Sequence, residues 1–313
     1  VDTIFISIAS FCDPMLGHTI RDAAAKANSP SRLRFGVVDQ TPERLRMGQT
    51  LWGLTRYVQV PPQDSLGACW ARSVGMSLYA GEDWFFQIDS HMLFEDGWDD
   101  IFISLASRCG QNNSKFMVSS YPNAFEIVDN RPVPKPATQK VLGHVVSEDS
   151  KFADDSAILM FKAIPVDTDE PITAMHVGAG CIFAPGRIVK DLPYDPHFYF
   201  WGEEQALALR AFTHGWDMLH VSNMPIYHLY DTDPNTCYRP KHWAEAIDQT
   251  RSVRWWDRDK KSKQRLTDLV TGHDLGVFGL GRNRSIQDYA DFCGVDYINR
   301  NVTSKAYKGP WVS

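Results

Sequence analysis

Residues 84–91 read Trp-Phe-Phe-Gln-Ile-Asp-Ser-His. Trp84–Ile88 is a short run of aromatic and β-branched residues, the composition of a buried strand. It runs straight into Asp89-Ser90-His91. On extended backbone, residues i and i+2 point to the same side. Asp89 and His91 can therefore grip one divalent cation together, and a carboxylate with an imidazole suits Mn²⁺, Fe²⁺ or Zn²⁺ better than Ca²⁺. An isolated triplet of this kind reads more plainly as a strand-end turn with a hydrogen-bonded Asp and an exposed His. The sequence on either side shifts the balance towards function.

Upstream, strand and helix signals alternate. Thr3–Ala9 is a strand. Asp13-Pro14 supplies an N-cap and a first-position proline for a helix through Ala27, which Asn28-Ser29-Pro30 ends. Arg32–Val38 and Arg56–Val60 are a second and a third strand. Ser65–Ala80 reads as a helix closed by Gly81, so Trp84–Ile88 is the fourth strand, and Asp96–Ser107 is helical again. The βαβ alternation predicts an α/β fold with a mostly parallel central sheet and helices on both faces. Such sheets bind ligands beyond the carboxyl ends of their strands, which puts Ala9–Asp13 and Asp89–His91 on the functional edge.

Downstream the pattern loosens. Lys115–Phe161 reads as strands and hairpins with long loops. Cys181–Ala184 and Met218–Val221 are short strands, and Glu203–His214 is a helix capped by Gly215. After Tyr230 the chain is loop-rich, then helical over Lys241–Asp257 and Lys261–Val270. No Gly/Ser linker or repeat divides it. Residues 1–240 are expected to form the main domain and residues 241–313 a helical extension packed on it.

The 313 residues carry 32 Lys and Arg against 38 Asp and Glu, a net charge of −6, and 43% of them are hydrophobic. That apolar content rules out disorder as the main state. No apolar run reaches the ~18–20 residues of a membrane-spanning helix, and VDTIFISIAS has none of the marks of a signal peptide. The acidic balance argues against a histone-like nucleic-acid binder. One basic stretch, Arg254–Arg265 with Trp255 and Trp256 inside it, could track phosphates and stack bases. A solvated helix surface beside two core tryptophans is the commoner meaning of such a run. Cys12, Cys69, Cys109, Cys181, Cys237 and Cys293 include no Cys-x-x-Cys pair, which argues against a zinc ribbon or a thioredoxin-type site. They suit free thiols in a reducing compartment. No G-x-G-x-x-G, P-loop or G-x-S-x-G motif occurs.

Four further places could carry chemistry. Arg72, in the helix before the Asp-x-His strand, could meet a phosphate bidentately or be a solvated helix-face residue. Gly178-Ala179-Gly180 would let backbone approach a ligand closely or form a tight turn. Trp201-Gly202-Glu203-Glu204 opens a helix whose two first-turn acids complement its dipole. The aromatic run His197–Trp201 beside them would make a sugar-binding wall. His228 lies in the apolar run Pro225–Tyr230, where a lone His is more often a satisfied core residue. As a third ligand it would complete a facial set with Asp89 and His91, but eight other histidines compete for that place.

Several of these pieces form a known pattern: Ile6–Ser10, Asp13 at a helix start, Ala71-Arg72 with Gly75, Ala80-Gly81-Glu82, Gln87–Met92 (QIDSHM), Trp98-Asp99 and Gly279-x-Gly281-x-x-Arg284. Over about Ile4 to Asp296 the chain resembles the polypeptide α-N-acetylglucosaminyltransferases. That GT-A-fold family modifies hydroxyproline on a cytoplasmic adaptor protein and is related to the mucin-type polypeptide GalNAc-transferases. The resemblance implies a UDP-sugar donor, UDP-GlcNAc first, with Mn²⁺ or Mg²⁺. It implies that Asp89, His91 and His228 hold the metal. Ala9, Ser10 and Asp13 would hold the nucleotide, with Ser90 inside the metal motif and Arg72 supporting the diphosphate. Gly178, Ala179 and Gly180 would lie near the donor sugar, and Trp201, Glu203 and Glu204 between donor and acceptor. Relatives often lack an acid at Asp39, so Asp39 is expected to alter the nucleotide contacts.

The chain is therefore expected to be a cytoplasmic, metal-dependent, retaining glycosyltransferase that moves GlcNAc to a hydroxyl on a protein, either hydroxyproline or Ser/Thr. No membrane partner is expected. Two alternatives stand beside it. One is transfer to hydroxymethylated bases in DNA through the Arg254–Arg265 region. The other is a metal-dependent sugar-binding protein without turnover.

Overall fold

The alternation upstream of Asp89 builds one side of a large sheet. The structure is a computed structural model that describes residues 2–311. Its first half runs β1 (Ile4–Phe11), α1 (Leu16–Lys26), β2 (Leu33–Gln40), α2 (Gln49–Gly53), β3 (Thr55–Gln59), α3 (Ala68–Met76), β4 (Trp84–Asp89), β5 (Met92–Phe94) and α4 (Trp98–Cys109). The irregular middle holds β6 (Phe116–Ser119), β7 (Asn123–Val128), β8 (Arg131–Pro134), β9 (Val141–Val146), β10 (Phe161–Val166), β11 (Ile172–Thr173) and β12 (Cys181–Pro185). Then come α5 (Ile188–Asp191), α6 (Glu203–Thr213), β13 (Asp217–His220), β14 (Ile226–Leu229), α7 (Pro234–Cys237), α8 (Glu245–Asp248) and α9 (Trp255–Val270). The chain closes with α10 (Ile286–Cys293), β15 (Val295–Asp296), β16 (Asn301–Val302) and α11 (Ser304–Lys308).

Eight strands form the central sheet in the order β11-β13-β6-β12-β4-β1-β2-β3. The pairs β1–β2, β1–β4, β2–β3 and β6–β13 are parallel, while β12 runs antiparallel to both β4 and β6. Alternation along the strands divides the core. Ile4, Ile6 and Ile8 of β1, with Phe86 and Ile88 of β4, pack on the side of α1 and α4. Phe5 and Phe85, with Ile182 and Ala184 of β12, pack on the opposite side, against α3, α6 and α9. A smaller sheet, β5-β14-β7-β8, sits beyond the end of β4.

Local corrections follow from packing. The first helix starts at Leu16, three residues after Asp13, whose carboxylate accepts from the Met15 N–H and also meets His91. The helix expected over Ser65–Ala80 is confined to Ala68–Met76, entered through Gly67 at φ +111°. The break expected near Asp257–Lys261 does not exist. Trp255–Val270 is one helix, whose buried residues Asp259, Ser262, Leu266, Leu269 and Val270 share a face. Residues 241–254 hold only the short α8. The cysteines form no disulfide, and no described helix is long and apolar enough to cross a membrane.

Candidate functional site: an Asp-His-His cluster on a cavity

Strand exits set the site. β4 ends at Asp89, and β5 begins at Met92. β14 then pairs antiparallel with β5, with His228 opposite Met92, and the Leu229 N–H donates to the His91 carbonyl at 3.2 Å. This register carries His228 to His91 across 137 residues of chain. Their Nε2 atoms lie 3.0 Å apart, and His228 Nε2 lies 3.3 Å from Asp89 Oδ2. One ligand atom from each of Asp89, His91 and His228 falls within 4.8 Å of the others.

The surroundings hold these three in place. Asp13 Oδ2 lies 2.7 Å from His91 Nδ1 and accepts from the Ser90 hydroxyl at 2.7 Å, while Asp13 Oδ1 accepts from the Met15 N–H. With Nδ1–H committed to Asp13, His91 presents its Nε2 lone pair. Burial pushes the Asp13 carboxyl up, but its His91 and Ser90 hydrogen bonds outweigh that and hold it below the usual range. Burial also works against ionised Asp89. The His228 hydrogen bond and Arg72 outweigh it, so the Asp89 carboxyl stays well below its ordinary value. Burial lowers His228, favouring the neutral imidazole that a metal needs. Gly180 leaves the space: a Cβ there would sit 2.4 Å from Asp89 Oδ2.

Above the triad opens a cavity of about 780 Å³. Of the residues singled out from sequence, Ala9, Asp13, Arg72, Asp89, Ser90, His91, Gly180, Trp201, Glu203, Glu204 and His228 line it. Ser10, Asp39, Gly178 and Ala179 do not. Ser10 and Asp39 are buried behind the wall. Asp39 accepts from the Tyr57 hydroxyl at 2.6 Å, and burial pushes its carboxyl up to about 6. Ala179 contributes its backbone, whose N–H donates to Glu204 Oε1 at 2.7 Å, while the Gly178 N–H donates to the Ser119 hydroxyl.

The two acids that open α6 part company. Glu204, one-third exposed, faces the cavity, with His176 Nε2 3.3 Å from its second oxygen. Glu203 is buried against Arg72, Cys69 and Tyr194. Arg72 is not a free phosphate ligand here, since its two terminal nitrogens meet Glu203 and Asp89. Sequence reasoning missed Tyr121, Arg239, Lys241 and Trp243 in the wall, which carry no signal beyond residue type. His176, one of the eight competing histidines and two residues before Gly178, also lines it. In the basic stretch, Arg254 pairs with Asp248 and Glu245, Lys263 with Asp259 and Arg265 with Asp195.

Comparison with known proteins gives a family and a fold. The family model described as Glycosyltransferase (GlcNAc) matches residues 3–55 and 54–299. The sequence matches no curated protein. Among solved structures, GalNAc-T7, crystallised with UDP, GalNAc and Mn²⁺, is similar with a TM-score of 0.56 and 15% identity over 78% of this chain. TarS from S. aureus is similar at 11% identity over 74% of this chain, with a TM-score of 0.43. The chain spans 45% of GalNAc-T7 and 37% of TarS. The GalNAc-T7 likeness is one of fold, the GT-A type. With nearly its whole length matched by the family model, the chain belongs to the GlcNAc glycosyltransferase family.

Proposed function

We propose that the chain transfers GlcNAc from UDP-GlcNAc to a protein hydroxyl, of hydroxyproline or Ser/Thr, with retention of anomeric configuration and with Mn²⁺ or Mg²⁺ at Asp89, His91 and His228. The convergence of those three ligand atoms on the cavity floor carries the reading. The residues fit a divalent cation. Two imidazole nitrogens and a carboxylate oxygen face one another, one imidazole oriented by Asp13, with room kept by Gly180. A bound cation there supplies Lewis acidity toward a diphosphate leaving group.

The chain's own residues do the rest. Glu204, tethered by the Ala179 N–H and His176, has an exposed flank to orient donor-sugar hydroxyls. Trp201, 40% exposed at the cavity wall, offers a ring face for stacking on a sugar or an acceptor. Same-face displacement, in which the departing phosphate takes the acceptor proton, needs no carboxylate nucleophile. It is supported by Glu203 being enclosed by Arg72, Cys69 and Tyr194 and by Glu204 being held by the Ala179 N–H and His176.

A protein acceptor is favoured over DNA because three basic side chains of the Arg254–Arg265 stretch are met by carboxylates of the chain itself. Residues 241–313 are taken as an extension that completes the wall through Lys241, His242 and Trp243. Six unpaired cysteines support a cytoplasmic setting.

Asp89→Ala is expected to abolish UDP-sugar turnover, and unchanged turnover would defeat the metal assignment. His228→Ala is expected to weaken Mn²⁺ binding; a variant that binds Mn²⁺ as tightly as the parent would return His228 to a core role. UDP release from UDP-GlcNAc without acceptor would exclude a sugar-binding protein that lacks turnover.

A further inference from the structure

Glu203 occupies a position that sugar contact does not explain. Its side chain is 8% exposed, and both oxygens are taken from within the fold. Oε1 accepts from Arg72 Nη1. Oε2 accepts from the Cys69 thiol at 2.5 Å and the Tyr194 hydroxyl at 3.2 Å. Tyr194 in turn accepts from Arg72 Nη1 at 3.4 Å. The other end of the same guanidinium donates from Nη2 to Asp89 Oδ1 at 2.9 Å.

A guanidinium is planar and rigid, so fixing one nitrogen aims the other. With Oδ1 held by Arg72, Asp89 turns Oδ2 toward His228 at 3.3 Å. Asp89 alone would pair with only one end of the guanidinium. Burial pushes the Glu203 carboxyl up, against the pull of Arg72.

We infer that Glu203 is a positioning residue, which locks Arg72 and through it sets which oxygen of Asp89 faces the two imidazoles. This rests on the reading of Asp89, His91 and His228 as a metal site. It assigns the two acids of α6 different tasks, Glu204 toward the cavity and Glu203 toward the metal ligand behind it. Cys69 and Tyr194 serve as neutral donors that keep Glu203 aligned.

The test is direct Mn²⁺ binding, followed by electron spin resonance of the free ion, on the full chain. Glu203→Leu is expected to bind Mn²⁺ about tenfold more weakly than the parent, the size of effect typical when a ligand's support is removed. That variant leaves a buried guanidinium half-paired, so a second one guards against simple misfolding. Arg72→Met/Glu203→Leu removes both charges together, which cores commonly tolerate. It is expected to fold by circular dichroism and still to bind Mn²⁺ at least about tenfold more weakly. A folded double variant with parental Mn²⁺ affinity overturns the inference, and a lower melting temperature with unchanged affinity does the same, since Glu203 would then be structural only. A parent protein that binds no Mn²⁺ overturns the metal reading itself. A parent that binds while its variants bind equally well overturns only the role of Glu203.

Discussion

Gly180→Ala puts one methyl group where the proposed metal site has no room. The new Cβ would sit 2.4 Å from Asp89 Oδ2 and 3.1 Å from its Cγ, whereas ordinary contact begins at 3.4 Å. The carboxylate would have to retreat by 3.4 − 2.4 = 1.0 Å. It cannot do so freely, because Arg72 holds Oδ1 at 2.9 Å and His228 lies 3.3 Å from Oδ2. Gly180 does not have a positive φ, so the effect is steric and not a matter of backbone strain. Misplacing a reacting group by about 1 Å costs on the order of a hundredfold in rate, and overpacking costs roughly 1–3 kcal/mol in stability. The assay is initial-rate UDP release from UDP-GlcNAc over a Mn²⁺ series, with circular dichroism as the check on folding. The expected result is a folded variant with about a hundredfold lower kcat/KM and a raised Mn²⁺ requirement. A rate and Mn²⁺ dependence within about twofold of the parent would refute the steric reasoning.

Three further outcomes are expected. Asp13→Asn loosens the orientation of His91 and should weaken Mn²⁺ binding by roughly 10–100-fold while leaving the far-ultraviolet circular dichroism unchanged. Trp201→Ala should raise the KM for acceptor or donor several-fold without changing Mn²⁺ affinity, since Trp201 lies on the cavity wall outside the triad. Burial pushes the His220 imidazole down to about 4. Between roughly pH 6.5 and that value the unfolded chain binds a proton that the folded chain does not. Stability should therefore fall as pH drops through this window, by up to ~1.4 kcal/mol per pH unit from this one residue. Urea denaturation of His220→Gln should show a shallower acid slope than the parent.

The exit from β4 was the most legible part of the sequence. An apolar run followed by Asp-x-His fixes a strand, its end and two side chains on one side, all from local spacing. The upstream strands and helices were readable for the same reason. Partners distant in sequence were not. His228 reaches His91 only through the β5–β14 register, and nothing local in Pro225–Tyr230 distinguishes a ligand from a core histidine. The Trp-Gly-Glu-Glu segment marked two acids but could not say that one turns inward to Arg72 and the other outward to Ala179, because both sit in the first turn of one helix. Asp13 looked like a helix cap by its Pro14 neighbour. Its carboxylate serves His91 as well as the Met15 N–H, and the helix begins three residues later. The two helices read over Lys241–Asp257 and Lys261–Val270 give way to one over Trp255–Val270, because Asp259 and Ser262, polar by sequence, join Leu266 and Leu269 on its buried face.

The most direct measurement is mass spectrometry of candidate peptide and modified-DNA acceptors after incubation with UDP-GlcNAc and Mn²⁺, with the parent protein and Asp89→Ala in parallel. The expected result is an N-acetylhexosamine added to a peptide hydroxyl by the parent alone, and lost when a chelator removes the metal. Transfer that survives both chelation and Asp89→Ala would contradict the assignment of Asp89, His91 and His228 as the metal centre of a sugar-transfer site.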